Sequence, residues 1–203
     1  DDMTYDDLVA LATELKDKLP DGVYPFACPV DFQTWYYQTV YANGGWILND
    51  DATETGYGDA KTQEGIQCWI DMIDAGLSPS ASTLSETGSD AMFEGEQIAM
   101  TLAGSYMVPE YASNDTIKDK IDCVEVPTFN GVEDNCINGL GFAVYEGSKQ
   151  KEEAEKFAIW MGSSEAQKIQ GETGVVISAR EDAQQYFAKA NEQYNLAAYT
   201  NHS

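Results

Sequence analysis

Phe93-Glu94-Gly95-Glu96-Gln97-Ile98-Ala99-Met100-Thr101-Leu102-Ala103-Gly104-Ser105-Tyr106 reads as a helix end, a tight turn, a buried strand and a small-residue loop that offers an aromatic ring. Gly95 follows the last apolar position of a short helical run, where a left-handed residue is cheapest without a Cβ. Gln97 to Leu102 is too brief for a helix and is bracketed by glycine, so a buried strand is expected, ending at Gly104. In open α/β sheets ligands are met beyond the carboxyl ends of strands, which is where Ser105 and Tyr106 fall.

Upstream, Thr4-Tyr5-Asp6-Asp7 opens like a capping box, and Leu8, Leu11, Ala12, Leu15 and Leu19 follow at helical spacing up to Pro20 and Gly22. Val23 to Cys28 reads as a strand, Thr34 to Ala42 as a helix closed by Asn43-Gly44-Gly45, and Asn49-Asp50-Asp51 as a polar turn. Asp59 caps a third helix whose predicted buried stripe is Ile66, Trp69, Ile70 and Ile73. Ser78 to Ser89 reads as a loop, and a short helix from Ser89 leads into the opening motif.

Downstream, Cys123 to Val126 and Ile137 to Tyr145 are predicted strands around a loop at 127–135. Helices are expected from Ser148 through Met161, from Ser164 to Gln170, and from Ala183 to about Tyr194, with a short extended run at Val175-Val176-Ile177. Strands mixed with helices define an α/β chain.

The chain has 203 residues, enough to bury roughly 70% of its unfolded surface without help from a cofactor. Lys and Arg number 11 against 35 Asp and Glu, a net charge of -24, which repels nucleic-acid phosphates and anionic lipid heads. No apolar run approaches the roughly 20 residues of a membrane-spanning helix. Cys28, Cys68, Cys123 and Cys136 form no CxxC, and the single histidine is His202, so neither zinc nor thioredoxin-like chemistry is expected. The segment between Cys123 and Cys136 turns at Asn130-Gly131, leaving a disulfide and a pair of half-buried thiols equally open.

Two further functional classes find only partial signals in the sequence. A glycoside hydrolase needs two carboxylates set across a cleft, and nothing singles out a pair here. A calcium-binding structural module would use the loop from Asp51, but loop position twelve is Thr62 where an EF-hand requires Glu. Gly139-Leu140-Gly141 has Val144 where a dinucleotide fingerprint needs its third glycine.

Four separated segments resemble the extracellular solute-binding proteins of carbohydrate ABC transporters, of the maltose-binding type. Thr4-Tyr5-Asp6-Asp7-Leu8 looks like that family's Thr-Trp-Asp/Glu-Glu-Leu helix start, and Ala42-Asn43-Gly44-Gly45 like its small-Gly-Gly turn. Phe93 to Met100 with Gly104-Ser105-Tyr106 resembles Phe-x-x-Gly-Lys-x-Ala-Met followed by Gly-x-Trp. Ser148-Lys149 through Glu152, Ala154, Phe157 and Ser164-Glu165-Ala166-Gln167 resembles its Ser-Lys helix and Ser-x-Glu-Ala-Gln block.

The resemblance implies a periplasmic-binding-protein-like (type II) lobe, a mixed sheet flanked by helices, plus part of a second lobe, in a chain shorter than whole family members. Residues 1–137 resemble the carboxy-terminal lobe, 138–182 a returning portion of the amino-terminal lobe, and 183–203 a helix leading back. The hinge is expected near Gly139 and Gly141 and again near Glu181. The implied function is non-catalytic: the protein binds a sugar or oligosaccharide and presents it to the permease subunits of an ABC importer by cleft closure. No cofactor or metal is implied. The full-length parent is expected to be a monomer outside the cytoplasmic membrane, periplasmic or anchored as a lipoprotein.

A sugar presents C–H faces and hydroxyls, so its site needs aromatic platforms with polar partners around them. Tyr106 occupies the position of a family stacking tryptophan. Trp35 and Tyr36, with Asp31 and Gln33, match the family's ligand-facing loop and helix, and Gly104, Ser105 and Asn138 complete the predicted site.

Overall fold

Thr4 begins the first helix, α1 (Tyr5–Lys16), through a reciprocal cap: its hydroxyl accepts from the Asp7 amide at 3.2 Å while its own amide donates to the Asp7 carboxylate at 3.0 Å. Those hydrogen bonds hold the Asp7 carboxyl below its ordinary pKa. The computed structural model describes residues 3–28, 30, 32–133 and 135–200. Within them two compact units are resolved, Asp1–Leu102 with Glu125–Ile137, and Ala103–Val124 with Asn138–Ser203. By compactness, 103–124 and 183–203 group with 138–182.

The first unit continues with β1 (Tyr24–Ala27), α2 (Gln33–Ala42), α3 (Ala60–Asp74), α4 (Ala81–Thr87), α5 (Ser89–Glu94) and β2 (Ile98–Thr101). β1 and β2 pair in parallel with Tyr24 opposite Ile98 and Phe26 opposite Met100. Among the described residues this is the only sheet, so the predicted sheet is realised as two parallel strands. Its other edge is partly served by a loop, because the Phe26 amide donates to the Leu77 carbonyl at 3.1 Å and the Cys28 amide to the Ser78 hydroxyl at 2.9 Å.

Leu8, Ala12, Phe26, Trp69, Met72 and Leu77 form the main core around that sheet. Trp69 is fully enclosed, stacked on Phe26 at 5.9 Å and met edge-on by Tyr5 at 5.3 Å. Its indole N–H donates to the Thr39 hydroxyl at 3.0 Å, and that hydroxyl donates to the Gly65 carbonyl at 2.6 Å. One buried threonine thus joins α2 to α3.

The inward stripe of α3 differs from the expected one. Thr62, Gly65, Trp69 and Met72 are buried, Ile66 and Ile73 are half-buried, and Ile70 lies at the surface. The cause is close approach: a Cβ on Gly65 would lie 2.7 Å from Val40 Cα, so the face of small residues is the one that meets α2. Thr62 adds to this by donating to the Trp46 carbonyl at 2.9 Å and accepting from its amide at 3.0 Å.

Two local expectations are corrected. Residues 81–87, read as a loop, form α4, because Ser80 caps it through the Thr83 amide at 3.2 Å and Leu84 is buried beneath it. At the end of α5, Gly95 has φ −83° and Glu96 takes the left-handed conformation at φ 55°. The reversal is one residue later than the glycine suggests, and a Cβ on Gly95 would press on the Ala91 carbonyl at 3.3 Å.

The second unit holds α6 (Val108–Ser113), α7 (Lys151–Met161), α8 (Ser164–Glu172) and α9 (Glu181–Ala190). Val108, Phe187, Tyr194 and Leu196 form its core. The strands expected at 123–126 and 137–145 are absent from any ladder. Their composition dictates extended backbone, but a strand exists only with a partner to accept its hydrogen bonds. Ile137, Leu140 and Tyr145 are exposed accordingly, and α7 has no buried residue, with Phe157 and Ile159 on its surface.

No disulfide forms among the described residues. Cys123 and Cys136, left open between a bridge and thiols, are both thiols, in different compact units. Burial pushes the Cys28 and Cys68 thiols from 9.0 up to about 12, and also raises Cys123.

Replacing Thr39 by Val leaves the Trp69 N–H buried without its acceptor, and is expected to cost about 1–3 kcal/mol, seen as a lower urea midpoint at unchanged slope. The raised thiols carry a pH signature. An unfolded cysteine releases its proton near 9.0 while the folded one holds it to about 12, so stability is full below 9.0 and declines as pH rises through that interval. Urea titrations stepped across it, repeated on Cys28→Ser, read this directly, and the variant is expected to show the weaker decline.

Candidate functional site

The end of the opening motif, Gly104-Ser105-Tyr106, builds a single turn at the surface of the second unit. Gly104 is extended, and Ser105–Met107 form one 3-10 turn closed by the Met107 amide on the Gly104 carbonyl at 2.9 Å. Met107 and Val108 are buried and anchor the turn, while Tyr106 remains 50% exposed. The Tyr106 ring folds back over Gly104, where an added Cβ would stand 2.2 Å from the ring's Cε1. Glycine is therefore required there for close approach, not for an unusual φ.

Beneath the turn lies a support that sequence reasoning missed. The Tyr199 hydroxyl donates to the Ala103 carbonyl at 3.1 Å, and the Tyr199 ring meets Phe187 edge-on at 6.4 Å. From the same segment Tyr194 donates to the Lys118 carbonyl at 2.9 Å, and Asn195 bonds the Asp122 carboxylate at 2.7 Å and the Cys123 carbonyl at 3.2 Å. Residues 194–199 thus strap both ends of the 103–123 excursion that carries Tyr106. Burial, then the Cys123 thiol, raises the Tyr199 pKa, so its hydroxyl stays a donor at any working pH. The tyrosine spacing was visible in sequence, but nothing local pairs it with residues so far upstream.

Elsewhere in this unit Asn138, Gly139 and Gly141 lie in the exposed segment before α7, with open space where a Cβ would go on either glycine. Glu181 is the first residue of α9. Its neighbour Asp182 accepts from Ser164 at 2.7 Å and from Arg180 at 3.0 Å, and these bonds hold the Asp182 carboxyl below its ordinary pKa.

In the first unit the predicted residues gather at the start of α2. Asp31 lies outside the described residues. Gln33 is the first residue of the helix and is exposed. Trp35 is half-buried with Phe32 against it at 5.9 Å and 58°. Tyr36 rests its ring on the main core and points its hydroxyl to Tyr57, 2.8 Å away. Gln33, Trp35 and Tyr36 are thus brought together on one helix, and Gly104, Ser105 and Tyr106 on one turn. Tyr57, in the short 3-10 turn Gly56–Gly58, was not anticipated.

The acidic loop around Asp51 is knitted internally. The Asn49 side-chain oxygen accepts from the Thr53 and Glu54 amides at 2.8 and 3.1 Å, and its Nδ2 donates to the Thr53 hydroxyl at 3.0 Å. These bonds are those of a polar turn. A cavity of about 330 Å³ lies beside the α1 start, lined by Thr4, Tyr5, Asp6, Cys68, Phe129 and Asn130 among others, and none of the predicted site residues lines it.

Residues 2–168 match the model of the family described as bacterial extracellular solute-binding protein. The chain belongs to that family. Among solved structures it is similar to the ABC substrate-binding protein Lmo0181 from Listeria monocytogenes in complex with cycloalternan, at 25% identity and a TM-score of 0.76, over 98% of this chain and 51% of that one. It also shares its fold with the GacH receptor of Streptomyces glaucescens, solved with acarbose, at 17% identity and TM-score 0.68, over 96% and 53% of the two chains. The cyclic alpha-maltosyl-1,6-maltose binding protein from Arthrobacter globiformis gives 18% identity and TM-score 0.64, over 98% and 56%. The chain spans about half the length of these solved relatives. A search of curated proteins finds no match.

Removing the strap's hydroxyl by Tyr199→Phe is expected to cost about 0.5–1.5 kcal/mol and to speed amide exchange selectively at 103–107. Hydrogen-exchange mass spectrometry on that peptide, against an α3 peptide as control, checks it; equal change in both would show a merely global effect.

Proposed function

We propose that the full-length protein binds a carbohydrate without altering it and presents it, by closure of its lobes, to the permease subunits of an ABC importer. Its place is outside the cytoplasmic membrane, periplasmic or tethered as a lipoprotein. The observation that carries this reading is the half-exposed Tyr106 ring, presented on a glycine-floored turn and held from below by Tyr199. A flat ring with a hydroxyl at its edge suits the C–H face and hydroxyls of a pyranose. Ser105 beside it and Gln33, Trp35 and Tyr36 on α2 supply the same chemistry.

Family membership supports the solute-binding part of the reading, and the sugar ligands named for the cycloalternan and acarbose complexes support the class of solute. In this reading residues 138–182 belong to the second lobe. The exposed Leu140 and Tyr145 before α7, and Phe157 and Ile159 on it, accord with that, since large apolar side chains left in solvent in such number ordinarily meet a partner surface.

Burying one ring against a sugar contributes about 1.5–3 kcal/mol, so Tyr106→Ala is expected to weaken sugar binding by at least about tenfold. Isothermal titration calorimetry on the full-length protein, with a sugar first found by screening a glycan array, makes the measurement. Unchanged affinity would remove Tyr106 from the site, and release of new reducing ends would replace the receptor by an enzyme.

A further inference from the structure

Three Asn-Gly steps occur in the chain, at 43–44, 130–131 and 138–139. A glycine after asparagine leaves its amide nitrogen unshielded by any Cβ, so that nitrogen can reach the preceding side-chain carbonyl carbon and close a five-membered imide. The first unit treats its two steps differently. Asn43 closes α2 with its Nδ2 donating to the Lys61 carbonyl at 2.8 Å and to the Glu64 carboxylate at 3.1 Å, and the Gly44 amide donates to the Tyr41 carbonyl at 2.8 Å. Both the leaving amide and the attacking nitrogen are held.

Asn130 and Gly131 instead form the tip of a two-residue hairpin, closed by reciprocal bonds between Phe129 and Val132 at 3.0 and 2.9 Å. Both tip residues are exposed, with φ 52° and 73°, as such a turn requires. Among the described residues nothing accepts from the Gly131 amide, and open space lies where a Cβ would stand. No bond has to break before that nitrogen turns to Asn130.

One contact depends on the Asn130 amide. Its Nδ2 donates to Asn43 Oδ1 at 2.7 Å and ties the hairpin to the end of α2. Asn43 cannot turn its own amide round to suit a different neighbour without losing Lys61 and Glu64. A carboxylate at 130 has no hydrogen to donate, so an acceptor and a charged acceptor would face each other there.

We propose that Asn130 is a site of spontaneous deamidation whose product unfastens the hairpin from α2. The Gly131 nitrogen gives up its proton and bonds to Asn130 Cγ; the Cγ–Nδ2 bond breaks and ammonia leaves. Water then opens the imide at either carbonyl, giving aspartate or isoaspartate, the latter with an extra methylene in the backbone. No oxidant or reductant takes part, and the inference stands apart from the sugar-receptor reading. Asn138-Gly139, in an exposed segment of the other unit, is subject to the same chemistry, but among the described residues its side chain makes no bond to lose.

The test ages the full-length protein in warm, mildly alkaline buffer and maps its peptides by mass spectrometry with electron-transfer fragmentation, which separates isoaspartate from aspartate. Conversion to both products is expected at Asn130, at least about tenfold faster than at Asn43, where three hydrogen bonds must break first. Hydrogen exchange at 128–132 is expected to quicken in the aged protein and in fresh Asn130→Asp. It is expected to stay constant on ageing in Asn130→Gly, since glycine suits the positive φ and cannot deamidate. Equal rates at Asn43 and Asn130, or no conversion at Asn130, overturn the site. Conversion without faster exchange at 128–132 overturns the unfastening.

Discussion

A single buried hydrogen bond organises the first unit. Trp69 fills the space between the sheet and the helices, and its N–H has one acceptor, the Thr39 hydroxyl, which in turn is committed to the Gly65 carbonyl. An indole N–H enclosed in an apolar core cannot be left unpaired without cost, so α2 and α3 must lie where threonine reaches both. Glycine at 65 then permits the contact, and the rotation of α2 is fixed. That rotation decides which tyrosines face outward. The exposed face of α2 is in this sense a consequence of how one tryptophan is satisfied.

The second unit solves the same problem differently. Its Gly104–Met107 turn has no sheet beneath it among the described residues, and the 103–123 segment is steadied by side chains returning from residues 194–199. Tyr199 serves as a prop because burial keeps its hydroxyl protonated and the Phe187 ring fixes its plane. A ring held in place before any ligand arrives loses less entropy on binding.

Sequence patterns carried the parts of this fold that are locally determined. The capping box at Thr4, the Asp59 cap of α3, the β2 strand and the turn that ends in Tyr106 each follow from residues within a few positions of one another. What failed was set by distance. Counting isoleucines put Ile70 inside with Trp69, whereas Ile70 is exposed and Thr62, Gly65 and Met72 are buried, because the helix turns its small residues to α2. The predicted strands at 123–126 and 137–145 had the composition but found no partner. The left-handed residue fell to Glu96 because Gly95 still belongs to the last turn of α5. Among candidate residues, Trp35, Tyr36 and Tyr106 are named by motif order alone, and their part in binding is a proposal. Tyr57 and Tyr199 are not so named, since each acts through a partner many residues away.

The claim on which the account turns is that Tyr106 meets a sugar that leaves unchanged. Fluorotyrosine labelling of the full-length protein, with the Tyr106 signal assigned by its loss in Tyr106→Phe, measures this in one ¹⁹F NMR titration with the bound oligosaccharide. The account predicts that the Tyr106 resonance moves with saturation of the sugar and that the sugar is recovered intact. A saturated protein with an unmoved Tyr106 resonance, or a cleaved sugar, would contradict it.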